Sequence, residues 1–313
     1  MKKPELHEYL SCVRPDGSRI ERDFINRRII ERLPTTEDCS LSIDPAGNTW
    51  VSIGTEPGIA WSCHTDTVAT GYDPKRGYRP PVLNETEAGR FYESPDAGCL
   101  GADDGTGIWM IMRMILEHKP GLYIFHRGEE VGGTGSNYAA LHETSRLMHV
   151  RCMIALDRMD YVDVITHQSG SRCCSNRFAQ SLADAIGIIP GYGSLEPCSG
   201  GVFTDTANYI DVIGECTNLS VGYFSQHTKD EVQDVDFAHG LLERLLEIEE
   251  SQLSFSRDPK EEAWEEWDKG LTDREYWTAW DEANHGRFSD PIGSDNWPLL
   301  PDSYWPHSHY YDE

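Results

Sequence analysis

Five short apolar runs in this chain each end beside a carboxylate or an imidazole. Residues 59–63 run into His64, residues 100–102 into Asp103 and residues 152–156 into Asp157, while residues 122–125 are followed by Glu129-Glu130 and residues 219–223 by His227. Apolar runs of this length, bounded by glycines and turn residues, read as buried strands. The longer stretches between them carry helical spacing. Strands alternating with helices predict an α/β fold, with a mostly parallel central sheet covered by helices on both faces. In open sheets of that kind, ligands bind beyond the carboxyl ends of the strands. The order His, Asp, Glu-Glu, Asp, His therefore gathers the chain's best metal-ligand candidates at one end of one sheet.

The densest segment is Gly128-Glu129-Glu130-Val131-Gly132-Gly133-Thr134-Gly135-Ser136. Neighbouring side chains at a strand end point to opposite sides, so one glutamate can face a metal while the other faces a substrate. That division suits metal-assisted hydrolysis, which needs ligands and a general base. Taken singly, each segment has an ordinary structural reading: a surface Glu-Glu pair, an aspartate capping a helix, a histidine satisfied in the core. Their common order carries the chemical reading.

In these segments the chain resembles the co-catalytic zinc exopeptidases. His64-Thr65-Asp66 resembles that family's first ligand and the aspartate beside it, and Gly101-Ala102-Asp103-Asp104-Gly105-Thr106-Gly107 resembles the loop of the bridging aspartate. The stretch from Gly128 to Ser136 is similar to the Gly-Glu-Glu-x-Gly-x-x-Gly-Ser signature of the leucyl aminopeptidase-like branch (peptidase family twenty-eight). Phe203-Thr204-Asp205 and His227-Thr228-Lys229-Asp230-Glu231 resemble its later segments. A sister branch, the peptidase T and carboxypeptidase G type, has the same metal shell and usually inserts a lid domain before the last histidine. Only 70 residues separate Asp157 from His227, too few for a lid as well as the remaining strands and helix, so the lidless branch is expected. The interval between His64 and Asp103 is long, with Pro80, Pro81 and several charges, and suggests an inserted hairpin or loop near the site.

The resemblance implies two divalent ions sharing Asp103, with His64 and Asp157 completing one set of ligands and Glu130 and His227 the other. Zinc is expected, and cobalt or manganese suit the same ligands. It also implies that the Asp66 carboxylate accepts the other ring N–H of His64. Glu129 is then the general base that moves a proton from the attacking water to the leaving amine. The expected activity is an aminopeptidase that removes N-terminal residues from peptides. A deacylase or carboxypeptidase acting on N-acyl amino acids or dipeptides stays open, as does a non-catalytic binding or assembly protein on the same fold. Recognition of the substrate's end separates the first two: a carboxylate such as Asp205 for a free amine, an arginine such as Arg158 or Arg127 for a carboxylate.

Composition narrows the partners. A net charge of −26 argues against nucleic acid and anionic membranes. The chain contains no apolar run long enough to cross a bilayer, and Met1-Lys2-Lys3-Pro4-Glu5 leads into no apolar segment of a secretory signal. Nine cysteines without small-domain spacing read as reduced thiols of a cytoplasmic protein. Helices are expected over residues 4–10, 22–33, 108–118, 136–148, 175–186 and 236–248, a hairpin over 41–54, and neighbouring strands at 151–156 and 162–166. Residues 1–254 then form the catalytic domain. Residues 255–313 form an acidic appendage that holds six of the nine tryptophans. That appendage is expected either to wrap the domain or to dock a partner or a second copy of the chain.

Overall fold

A computed structural model describes residues 3–260 other than residues 11, 72, 74–77, 88 and 97. Eight strands form one sheet in the order β1-β2-β6-β3-β7-β12-β8-β11. They are β1 (Cys39–Ile43), β2 (Thr49–Ile53), β3 (Ile59–His64), β6 (Gly121–His126), β7 (Cys152–Arg158), β8 (Asp163–Ile165), β11 (Glu196–Cys198) and β12 (Glu215–Ser220). The four central strands, β6, β3, β7 and β12, are parallel. Antiparallel pairing enters at β1–β2, β2–β6 and β12–β8, so the sheet is mixed around a parallel middle. Residues 162–166 pair with β12 rather than with residues 151–156, because β12 occupies the place beside β7. Two-residue strands β9 (His167–Gln168) and β10 (Ser171–Arg172) form a small separate pair.

The central strands are buried almost throughout, as a sheet covered on both faces requires, and their side chains alternate between two cores. Trp61 and Cys63 of β3, Tyr123 and Phe125 of β6 and Ile154 and Leu156 of β7 join one apolar core. Ala60, Leu122, Ile124 and Met153 join the other. Three helices build the first core: α2 (Ala102–Leu116), α4 (Asn176–Ile186) and α5 (Val235–Glu247). The second is covered by α3 (Thr134–His142) and the 3-10 turn Asp205–Tyr209. Helix α2 is buried almost throughout, as its near-continuous apolar sequence predicts. The backbone of Asp103 and Asp104 is non-helical, so the regular helix begins at Gly105, three residues earlier than its apolar periodicity suggests. Gly107 permits close approach: a Cβ there would collide with the Leu156 carbonyl of β7 and the Asp104 carboxylate.

Differences from the expected elements are local. The 22–33 helix is α1 (Arg19–Phe24) continued by a π turn and a 3-10 turn. Helix α3 stops at His142 and a 3-10 turn, Thr144–Leu147, follows. The interval between His64 and Asp103 does hold a hairpin, β4 (Val82–Thr86) and β5 (Gly89–Glu93). It extends a second sheet, of order β13-β14-β5-β4, with β13 (Tyr223–Phe224) and β14 (Val232–Asp234). That sheet carries the His227 loop between β13 and β14. The segment from Asp157 to His227 is taken up by strands of the main sheet, α4 and short turns, with no inserted lid among the described residues. At the C-terminal side, the Ser256 and Arg257 backbone N–H groups donate to Glu215, so the chain lies along the domain as far as this. The tryptophan-rich residues from 261 onward, and the readings made of them, lie outside the described residues.

Candidate metal centre

The carboxyl ends of β3, β6 and β7, the start of α2 and the β13–β14 loop converge on one point. Asp103 sits at its centre. Its Oδ1 is 2.9 Å from His64 Nε2 and its Oδ2 is 3.0 Å from His227 Nε2. Asp157 Oδ1 lies 3.5 Å from His64 Nε2, and Glu130 Oε1 lies 3.1 Å from His227 Nε2. One aspartate thus faces two imidazoles, each with its own further carboxylate. The ion pairs of Asp103, Asp157 and Glu130 run to these two histidines. So many carboxylates in one buried place need a cation to be stable. Nitrogen and oxygen donors of this kind suit a borderline divalent ion. Three sets of three, His64 with Asp104 and Asp157, His64 with Glu129 and Glu130, and Asp103 with Glu130 and His227, bring a ligand atom from each member within 4.8 Å of the others.

The loop after β3 ties the groups together. The His64 ring N–H at Nδ1 faces two acceptors of Asp66, the backbone carbonyl at 3.0 Å and, longer, the carboxylate Oδ1 at 3.5 Å. A carbonyl only accepts, so Nδ1 carries the proton and Nε2 faces Asp103. The carboxylate has a further use, accepting the backbone N–H groups of Glu129 and Glu130 at 3.1 and 3.2 Å. This binds the histidine loop to the glutamate loop.

Glu129 lines an open cleft of about 90 Å³ together with Asp103, Asp157, Arg158, Phe203, Tyr223 and His227. Burial pushes its carboxyl up to about 9. A proton-transfer group placed between ligands and cleft has the position that a general base requires.

Several further contributors surround these groups, some of them, Thr204, Asp104 and Glu231, inside the matched segments. Thr204 Oγ1 donates to Asp157 Oδ2 at 2.7 Å and Tyr223 OH to Oδ1 at 3.1 Å. At the β7–β12 bulge, the Asn218 side chain replaces a strand partner, accepting from Asp157 N–H and donating to its carbonyl. Asp104, fully buried, accepts the His64 backbone N–H. Glu231 accepts three successive backbone N–H groups, of Gly101, Ala102 and Asp103. It stood inside a matched segment, but nothing in its spacing pointed across the chain to the Asp103 loop.

The three end-recognition candidates separate. Asp205 is 1% exposed, beside His126 at 3.4 Å, and does not line the cleft. Burial pushes its carboxyl up to about 7 and the His126 imidazole down to about 3. Arg127 is turned to Asp16 and Glu21. Arg158 does reach the cleft, with its guanidinium paired to Asp163 at 2.9 Å.

No family model matches the chain, and no curated protein is similar enough in sequence to count as a match. Solved structures do match in fold. The aminopeptidase PepT from Bacillus cereus aligns with a TM-score of 0.57 at 14% identity, over 77% of this chain and 95% of that one. A TET aminopeptidase from a marine sediment Thaumarchaeota archaeon aligns with a TM-score of 0.55 at 12% identity, over 77% and 94%. The TET1 peptidase of Pyrococcus horikoshii, which can assemble into a tetrahedron or a large octahedral shell, aligns with a TM-score of 0.53 at 16% identity, over 77% and 97%. The α/β fold of these peptidases is therefore the fold of this chain.

Proposed function

We propose that this chain is a two-metal hydrolase of amide bonds, an aminopeptidase acting on peptides. The observation that carries the reading is the double facing of Asp103, one oxygen to His64 and the other to His227, with Glu129 on the wall of the adjoining cleft. His64 and Asp157 would hold one ion and Glu130 and His227 the other. Bound there, the ions would supply Lewis-acid polarisation of the scissile carbonyl and a water acidified towards roughly pKa 7. Glu129 would take that water's proton on its carboxylate and deliver it to the leaving nitrogen; nearby positive charge would bring its raised pKa back down. Asp66 would keep the His64 and Glu129-Glu130 loops in register.

The resemblance in the sequence favours the leucyl aminopeptidase-like branch, and the missing lid agrees with it. The peptidase T name among the structural neighbours keeps the sister branch in play. Zinc is the ion we expect. No helix among the described residues is long and apolar enough to cross a membrane, and we place the protein in the cytoplasm. Self-association, known for the Pyrococcus horikoshii neighbour, is proposed here through residues 255–313.

Arg158 supports a second reading. It is the one end-recognition candidate in the cleft, and it suits a substrate with a carboxylate near the scissile bond, such as a dipeptide or an N-acyl amino acid. Elemental analysis and hydrolysis of paired free-amine and N-acylated dipeptides test both. We expect close to two divalent ions per chain and cleavage of the free-amine set. Cleavage of the acylated set alone selects the second reading, and no binding of zinc, cobalt or manganese on titration sinks the enzyme.

A further inference from the structure

The N-terminal segment contains two charged side chains buried completely, Arg14 just before α1 and Glu21 in its first turn. Neither lines the cleft. Both grip the loop that follows His64. Arg14 Nε donates to the Thr65 carbonyl at 2.9 Å, and the Arg14 backbone exchanges two further bonds with Thr67: its N–H donates to Thr67 Oγ1 at 2.8 Å and its carbonyl accepts Thr67 N–H at 3.0 Å. Glu21 Oε1 accepts the Thr65 hydroxyl at 2.8 Å. Thr65 and Thr67 flank Asp66, whose carbonyl orients the His64 ring and whose carboxylate holds the Glu129 and Glu130 backbone. Glu21 also lies 3.5 Å from the guanidinium of Arg127, two residues before Glu129.

Arg14 reaches the third loop as well. Gly101, two residues before Asp103, has φ +68, and a Cβ added to it would come within 3.3 Å of Arg14 Nη1. The guanidinium therefore sits between the His64 loop and the Asp103 loop. Such a buried cation is costly unless its surroundings compensate it. Here no carboxylate pairs with it among the described residues; it has the carbonyls of Cys12, Thr65 and, longer, Tyr9, and the Phe24 ring 4.4 Å from its central carbon. Nη2 has no hydrogen-bond partner among the described residues. A cation kept at this cost between the two loops is suited to setting their spacing.

We propose that Arg14 and Glu21 are positioning residues of the metal centre, a brace from the N-terminal segment that fixes the His64, Asp103 and Glu129-Glu130 loops at the separation the ions require. The inference rests on the metal reading above. It differs from a purely structural role in what it predicts: loss of the brace weakens metal binding by the folded protein, beyond any loss of stability. Outer-shell partners of metal ligands are typically worth about 10–100-fold in metal affinity.

The test titrates zinc into metal-stripped full-length protein by calorimetry, with a thermal melt of each metal-free variant. Arg14→Met should weaken zinc binding about 10–100-fold and Glu21→Gln about 10-fold, with Arg14→Lys intermediate, because an ammonium keeps the charge but not the planar fork. Thr65→Val removes only the hydroxyl that Glu21 holds, and it keeps the test alive if Arg14→Met does not fold. Glu8→Gln is the control. Glu8 pairs with Arg28 and Arg32 in the same N-terminal region and does not touch the loops, so its zinc affinity should equal that of the unaltered protein at any melting temperature. Brace variants that bind zinc like the unaltered protein overturn the proposal while leaving the metal reading intact. Equal weakening by Glu8→Gln overturns it too, as general destabilisation. An unaltered protein with no affinity for zinc overturns the metal reading and the brace together.

Discussion

The two halves of the centre are built differently. On the inner half, His64 is 1% exposed and locked between the Asp66 carbonyl and Asp103. Its partner Asp157 is held by Thr204, Tyr223 and Asn218. On the outer half, the His227 side chain is 48% exposed, in a loop between two short strands, with the non-glycine backbone at φ +67. That conformation is uncommon and strained. The main tie of the His227 backbone is the Thr70 hydroxyl on its carbonyl. A buried, cross-braced half is organised before any ion arrives, whereas an exposed half on a strained loop must be ordered by binding. The inner position should therefore bind tightly and the outer weakly, although Asp103 serves both.

The largest effect tests what the two halves have in common. Glu129 belongs to neither, so Glu129→Ala should keep both ions and lower kcat by about 10²–10⁴-fold. Glu130→Ala should instead lose the outer ion. Loss of metal in Glu129→Ala, with metal and activity kept in Glu130→Ala, would reverse the roles within the pair.

A smaller effect separates the halves directly. Zinc titration of the metal-free protein should show a tight and a weak phase. His227→Ala should abolish the weak phase and lower the metal-free melting temperature at neutral pH, because the variant loses the ion pairs to Asp103 and Glu130. His64→Ala should abolish the tight phase and cost roughly 1–3 kcal/mol, because it empties a buried, hydrogen-bonded place. Two identical phases in the unaltered protein, or the same phase lost in both variants, would break the comparison.

The inner half was also the more legible in the sequence. His64, Asp103 and Asp157 each stand at the end of an apolar run, and a strand end is a local signal that survives without an alignment. The parallel middle of the sheet was readable for the same reason. Its antiparallel edges were not, because the side of the sheet that a short strand such as residues 163–165 joins is decided by competition among partners far apart in sequence. The outer half gave less. His227 follows its run at a distance, and nothing nearby shows that it would ride on a sheet completed by the hairpin of residues 82–93. The supports of both halves were invisible for a further reason. Glu231, Asn218 and Arg14 act through hydrogen bonds to backbone groups 51 to 130 residues away, and such contacts leave no periodicity. Asp66 shows the limit of a matched motif: the residue was found, but not that its carbonyl is the nearer partner of the histidine and that its carboxylate also holds the glutamate loop.

The smallest effect is that of pH, and it sharpens the order in which the halves empty. In the metal-free protein, hydrogen bonds to Asp103 and then to Glu130 raise the His227 pKa from the ordinary 6.5 to about 10. A raised imidazole pKa means the folded chain binds a proton that the unfolded chain releases between these values. Its contribution to metal-free stability is therefore fully present below pH 6.5 and lost as pH rises through 10. Metal binding runs against that proton. Each unit fall in pH below 10 should weaken the outer position by up to about 10-fold, since the ion must displace the proton from His227. His64 is also held well above the ordinary value; burial works against this, but Asp157 and Asp103 outweigh it. Acid thus weakens both halves, and the one with less affinity to lose empties first. Cobalt absorption followed from pH 8 to pH 6 at fixed metal concentration should fall in two steps in the unaltered protein, the first of them missing in His227→Ala. A single step in both proteins would mean that the exposed and the buried imidazole hold their ions equally, and the contrast between the two halves would then be one of burial without consequence for binding.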